Sequence, residues 1–265
     1  MTIVVAIKQV PETDNVKMDP ETGTMVRDGV EAIVNPRDLY AIELALQARE
    51  KHGGSVTALT MGPPSAEKAL KEAIAMGCDG GVLLTDRGFA GSDTLATSYA
   101  LSRAIKTMGR FDLVLAGERA TDGDTGQVGP GLAAWLDIPV ATYVAAIEEW
   151  GDSRVVVRRL VEDGYQRVQL ALPALLTVVK EVANPRLPTL RGKKLSRQVK
   201  IPVLSAAELG VEPAAVGQRG SPTKVVKTQR PRVARKGTVL TATDDAGVDE
   251  AVARLIALLE GRHLL

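Results

Sequence analysis

The chain has 265 residues, 45% of them apolar and 25% charged, with a net charge of +1, enough to bury one full core or one domain with an appendage. Its single cysteine, Cys78, excludes a disulfide framework and a cysteine-ligated cluster within the chain, and its two histidines, His52 and His263, are too far apart in sequence for a local metal motif. No run approaches the roughly 18 apolar residues of a membrane span, and Thr2 to Ile7 meets charge at Lys8 without a signal-peptide leader, so a soluble, cytoplasmic protein is expected.

The first 140 residues alternate short apolar runs with helical periods. Strands are predicted over Ile3–Ile7, Val56–Met61, Val82–Leu84 and Asp112–Ala116, and helices over 36–51, 65–76, 93–108 and 126–135. In the first helix Leu39, Ile42, Ala45 and Leu46 share a face. Strands separated by helical crossovers imply a doubly wound, mostly parallel α/β sheet. Between the first strand and first helix, Lys17 to Met25 has the turn chemistry of a hairpin. After Tyr143 the pattern turns antiparallel: Val155–Val157 and Val168–Leu172 flank a turn at Glu162 to Tyr165, and Leu175–Val179 reads as a buried strand. Six prolines from Pro185 to Pro231 forbid long elements thereafter. An amphipathic helix over Val248–Leu259, capped by Asp244 or Asp245, closes the chain.

Charge is unevenly placed. Residues 184–236 hold 13 Lys and Arg against Glu208 and Glu212, so this stretch carries +11 and the rest of the chain −10. It reads either as a solvated basic tail or as an arm lying across an acidic partner, the latter favoured by Leu187, Leu190, Ile201, Val203, Leu204, Leu209 and Val211. It contains no aromatic residue to stack on bases, so nucleic acid is disfavoured. Two domains are therefore expected, an α/β nucleotide- or flavin-binding domain over 1–183 and an extended basic arm with a C-terminal helix over 184–265, wrapping a partner subunit.

In an open parallel sheet, ligands sit beyond the carboxyl ends of the strands. Asn35-Pro-Arg-Asp38 before the first helix places Asn35 as an N-cap and Pro36 at the first helical position. Met61-Gly-Pro63 turns tightly, and Asp86 to Thr94 is a glycine-containing loop before a helix start. The loop Gly117 to Pro130 combines glycines with a helix N-terminus, an anion-binding arrangement. It is neither a P-loop nor a GxGxxG fingerprint. Asp122 and Asp124 would repel a phosphate, so backbone amides with Thr125, Gln127 and Val128 are expected to face it while the carboxylates look toward sugar hydroxyls or cap the turn. A plain Asp-Gly turn is the simpler alternative.

These blocks, with Val34 to Leu46, Leu59 to Pro63, Ala73 to Asp79 and Asn184 to Arg191 in order, resemble the beta subunit of electron-transfer flavoproteins. The resemblance implies a Rossmann-like, adenine-nucleotide-binding fold and a heterodimer with an FAD-carrying alpha subunit. It maps the cofactor pocket to Ala6, Asn35, Pro36, Arg37, Asp38, Met61, Asp122, Gly123, Asp124, Thr125, Gly126, Gln127, Val128, Gly129 and Ala133. Met61 departs from a cysteine frequent in the ordinary branch, where the pocket holds AMP. The small residues Gly123, Thr125 and Gly126, together with Phe89 to Thr94 and Gly220 to Val225, are similar to the electron-bifurcating branch, where the pocket holds a second FAD. Phe89, Asp93 and Thr94 would then lie near the isoalloxazine. That branch implies NADH as donor, ferredoxin or flavodoxin as low-potential acceptor, and an acyl-CoA-type dehydrogenase or quinone-linked acceptor served through the alpha-subunit FAD. No catalytic side chain is expected. Partner docking maps to Asn184, Pro185, Arg186, Leu187, Leu190 and Arg191, with Leu190 as the apolar anchor. Rival readings are a stand-alone nucleotide-binding regulatory module and an adenine-nucleotide hydrolase or ligase.

Overall fold

A computed structural model describes residues 1–12, 32–226 and 237–265. They fall into two compact units, Met1–Val226 and Lys227–Leu265. The hairpin expected at Lys17 to Met25 lies outside the described residues.

In the first unit β1 (Thr2–Ala6) is followed by the short strands β2 (Gln9–Pro11) and β3 (Ala32–Val34), which pair antiparallel. Then come α1 (Pro36–His52), β4 (Ser55–Met61), α2 (Glu67–Met76), β5 (Gly80–Leu84), α3 (Thr94–Thr107), β6 (Leu113–Gly117) and α4 (Val128–Leu136). They are succeeded by β7 (Val140–Trp150), β8 (Arg154–Val161), β9 (Gly164–Ala171), β10 (Ala174–Val178), α5 (Leu190–Ser196) and β11 (Val203–Leu204). Nine strands form one sheet in the order β11-β5-β4-β1-β6-β10-β7-β8-β9, parallel as far as β7 and antiparallel through β8 and β9.

The apolar runs become central strands because both faces of the sheet are covered. Alternate residues of β1 divide between the two faces. Ile3 and Val5 join Ile42, Leu46, Leu70 and Ile74 of α1 and α2 in one buried cluster. Val4 and Ala6 join Leu101, Ile105 and Leu132 of α3 and α4 in the other. Each fully buried aliphatic side chain contributes about 1.5 to 3 kcal/mol, so these two layers dominate the fold.

The structure departs from expectation in three places. β7 runs as far as Trp150, although Tyr143 lies at φ 57 and the ladders on both sides of it shift register. A bulge of this kind destroys the period-2 signal. Secondly, residues 184–226 belong to the first unit: β11 pairs with β5, and Ile201, Leu209, Val211 and Val216 are buried in it. Those apolar residues are therefore core of this chain and are not available to a partner. Thirdly, a short helix, α5, forms between Pro188 and Pro202, capped by Thr189 Oγ1, which accepts from Gly192 N. It fits because neither proline falls inside it.

In the second unit α6 (Asp245–Glu260) begins where Asp244 accepts from Gly247 N, as expected. Val248, Ala251, Val252 and Leu255 line a shallow groove with Thr238, Leu240 and Ala242, and no residue of α6 is buried. No described helix is long and apolar enough to cross a membrane.

Candidate functional site

The chain leaves β1 toward β4 and β5 on one side, then crosses back to β6 on the other. The crevice between the carboxyl ends of β1 and β6 is therefore the topological switch point. Ala6 and Gly117 end those strands, Met61 ends β4, and the loops before α1 and α4 stand above them.

Two buried side chains hold these loops together. Asn35 is 1% exposed, and it is not the side-chain N-cap expected. Its amide instead grips the β6–α4 loop: Nδ2 donates to the Arg119 carbonyl at 3.0 Å, and Thr121 N donates to Oδ1 at 3.2 Å. Asp38, also buried, accepts from Lys8 N at 2.7 Å and from Gly117 N at 3.2 Å, tying α1 to both strands. Burial pushes its carboxyl up to about 7 against the lowering effect of these amides. Gly117 is obligatory here, since a Cβ would collide with Asp38 and the Arg37 backbone.

The charges of the loop neutralise one another. Asp122 pairs with Lys8 Nζ at 2.6 Å. Asp124, at φ 52, pairs with Arg119 Nε at 3.3 Å, while Glu118 lies between Arg37 Nη1 at 3.4 Å and Arg119 Nε at 3.6 Å. Asp124 N donates to Ala120 O. Among the described residues no acceptor meets the N–H groups of Thr125, Gly126, Gln127, Val128 or Gly129. Five consecutive amides at the start of α4 are a fit for an oxyanion. A Cβ at Gly123 would meet nothing within 4 Å, and one at Gly126 only Glu118 O at 3.5 Å and Tyr143 Oη at 3.6 Å. Gly129 must be glycine because Thr177 packs against it. Lys8, Glu118, Arg119 and Tyr143 are participants that the sequence reading missed. Only the bulge brings Tyr143 here, and nothing in the sequence marks it.

Other candidates stand differently. Ala133 is buried in the second core cluster, so its side chain supports α4 from below. Phe89 is buried in the same cluster, with Val211 and Val216, and so carries the loop that it was expected to present to a ligand. Asp93 caps α3, accepting from Leu95 N and Ala96 N, and its second oxygen accepts from Thr223 N and Oγ1. Thr94 begins that helix. In the expected docking loop Leu187 and Leu190 are 84% and 87% exposed, and Asn184 and Arg191 are exposed too, with Pro185 half-buried. Arg186 is not directed outward: it hydrogen-bonds Glu43 and Glu50 of α1.

Parallel strands, covered faces and an amide-lined crevice at the switch point define a doubly wound, mostly parallel α/β protein. Residues 22–209 match the electron transfer flavoprotein domain family. The chain is 47% identical, over the full length of both, to the electron transfer flavoprotein subunit beta of Thermoanaerobacterium thermosaccharolyticum. It is 43% identical, again over both full lengths, to the subunit of that description from Clostridium acetobutylicum. Subunit CarD of the caffeyl-CoA reductase-Etf complex of Acetobacterium woodii is 42% identical over 100% of each chain. This chain belongs to the electron transfer flavoprotein beta-subunit family, whose work is electron transfer.

Proposed function

We propose that this chain pairs with an alpha subunit, holds an FAD in the switch-point crevice and transfers electrons in the bifurcating manner. The observation that carries the reading is the run of acceptor-free amides from Thr125 to Gly129 beside carboxylates already paired with Lys8 and Arg119. Paired aspartates no longer repel an anion, and the open space at Gly123, with only Glu118 O and Tyr143 Oη against Gly126, supports the larger ligand of the two branches. When bound, the FAD supplies hydride acceptance from NADH and single-electron release, one electron to ferredoxin or flavodoxin and one through the alpha-subunit FAD to an acyl-CoA-type dehydrogenase or quinone-linked acceptor. This chain's residues bind and orient. The α4 amides hold the diphosphate, Asn35 fixes the loop that carries them, and Asp38 holds the β1 and β6 ends in register. The likeness to a subunit of a caffeyl-CoA reductase-Etf complex supports an acyl-CoA-type partner.

The exposed apolar face of α6 supports a heterodimer over a stand-alone module. The test is to purify the chain with its alpha subunit and count flavin and AMP per heterodimer. Two FAD are expected; one FAD with one AMP would instead establish the ordinary branch.

A further inference from the structure

The geometry assigns Arg186 as a positioning residue that holds the docking loop in place from behind, without touching the partner. The inference rests on the reading of Leu187 and Leu190 as partner contacts. Glu43 is a 4% exposed carboxylate on α1, and burying a carboxylate is tolerated only when it is paired. Arg186 meets it three times: backbone N to Oε2 at 3.0 Å, Nε to Oε2 at 2.8 Å and Nη2 to Oε1 at 3.0 Å. Both terminal nitrogens also reach Glu50, about two turns further along α1. Gln47 Nε2, between them, donates to Glu43 Oε1 at 2.9 Å. Burial pushes the Glu43 carboxyl up, but these hydrogen bonds outweigh it and hold it below the usual range.

The loop has a second fastening. Thr189 N donates to Ala75 O at the end of α2, and Gly192 lies so close to that carbonyl that a Cβ would collide with it. Leu187 and Pro188 are suspended between the Arg186 and Thr189 attachments, and Leu190 opens α5 directly after the second. A nearly fully exposed leucine in a free loop would have to be ordered at docking, an entropic cost that lowers affinity. Fixed at both ends, the two leucines are presented before the partner arrives. A lysine in place of Arg186 could not satisfy two carboxylates with one fork.

The test uses the holo-heterodimer and the acyl-CoA dehydrogenase from the same cells, reading KM and kcat for dehydrogenase reduction. Leu190→Ala should raise KM about tenfold with kcat retained, as for an apolar hot spot. Arg186→Met alone leaves Glu43 unpaired, so Arg186→Met with Glu43→Met serves as the variant that keeps the fold. It should raise KM several-fold, retain kcat and accelerate amide exchange at residues 186–189. In the Leu190→Ala background the same double change should add little, because its effect passes through the leucine. An additive effect, or an unchanged KM in a folded double variant, overturns the positioning role. If Leu190→Ala itself leaves KM unchanged, the docking assignment fails and the inference falls with it.

Discussion

Asp38 makes stability depend on pH in an unusual direction. Its carboxyl rises from 3.8 to about 7 on folding because burial outweighs the Lys8 and Gly117 amides. Between those values the folded chain binds a proton that the unfolded chain releases. The contribution is therefore fully present below about pH 3.8 and is lost as pH rises through about 7. At 1.36 kcal/mol per unit, going from pH 5 to pH 8 should remove about 3 kcal/mol. Asp38→Asn does not titrate, although one of its two backbone donors then faces an NH2 group, a cost independent of pH. Urea unfolding of heterodimers carrying either residue, at pH 5 and pH 8, isolates the difference. The stability of the wild type relative to Asp38→Asn should fall by about 3 kcal/mol between the two conditions. A difference that stays constant within 1 kcal/mol, roughly one pKa unit, would refute the argument and mean that water or local opening keeps Asp38 ionised.

Further outcomes follow from the crevice. Gly126→Arg places a long side chain on a backbone at φ 62, where a Cβ already meets Glu118 O and Tyr143 Oη, and crowds the approach to the α4 amides; the alpha-subunit FAD should remain while the beta-subunit flavin is lost, and retention of both would place the cofactor elsewhere. Asn35→Ala strands the Thr121 N–H and the Arg119 carbonyl, which should cost about 1 to 3 kcal/mol in urea unfolding and speed amide exchange across residues 119–125. Gly129→Ala forces a Cβ into Thr177, so α4 must lift from β10; a loss of about 1 to 3 kcal/mol is expected from thermal unfolding, and an unchanged midpoint would mean that Thr177 turns aside freely.

The parallel half of the sheet was legible because its strands are buried on both faces, so burial alone writes them as apolar runs: Val56–Met61 and Asp112–Ala116 were placed within a residue or two of β4 and β6. β7 was hidden for the opposite reason. It lies inside the sheet but many of its residues are exposed, so alternation would be its signal, and the bulge at Tyr143 interrupts it. The stretch after Asn184 misled through its charge: Ile201, Leu209, Val211 and Val216 are buried at irregular spacings on a body that supplies most of the apolar surface, so no period survives to announce them. The loops before α1 and α4 do meet at the switch point, through Asn35 and Asp38. The roles of Asn35 and Arg186 were not legible, because a side chain that satisfies a distant loop leaves no local pattern, and local rules assign it to a cap or to a partner.

The loop from Gly117 to Pro130 shows why charge counted along a sequence is a poor guide to charge at a site. Three acids, Glu118, Asp122 and Asp124, stand against one base, Arg119, and repulsion of phosphate follows from that count. Folding brings Lys8 from the end of β1 and Arg37 from α1 into the loop, and every carboxylate acquires a cation within 4 Å. What is left unpaired is backbone, and backbone donors recognise an oxyanion without regard to side-chain identity. The pairs also fix the loop's shape, since Lys8 and Arg37 belong to elements that Asp38 ties together. On the proposed reading, recognition at this crevice depends on acids and bases that need never touch the ligand. Exchanging Asp122 and Lys8 as a pair should disturb binding less than Lys8→Asp alone, because that single change sets two unpaired carboxylates beside the diphosphate and the exchange does not. Flavin content of the two single variants, Asp122→Lys and Lys8→Asp, set against that of the double exchange, measures this coupling, and strictly additive effects would show that one of the two side chains meets the ligand itself.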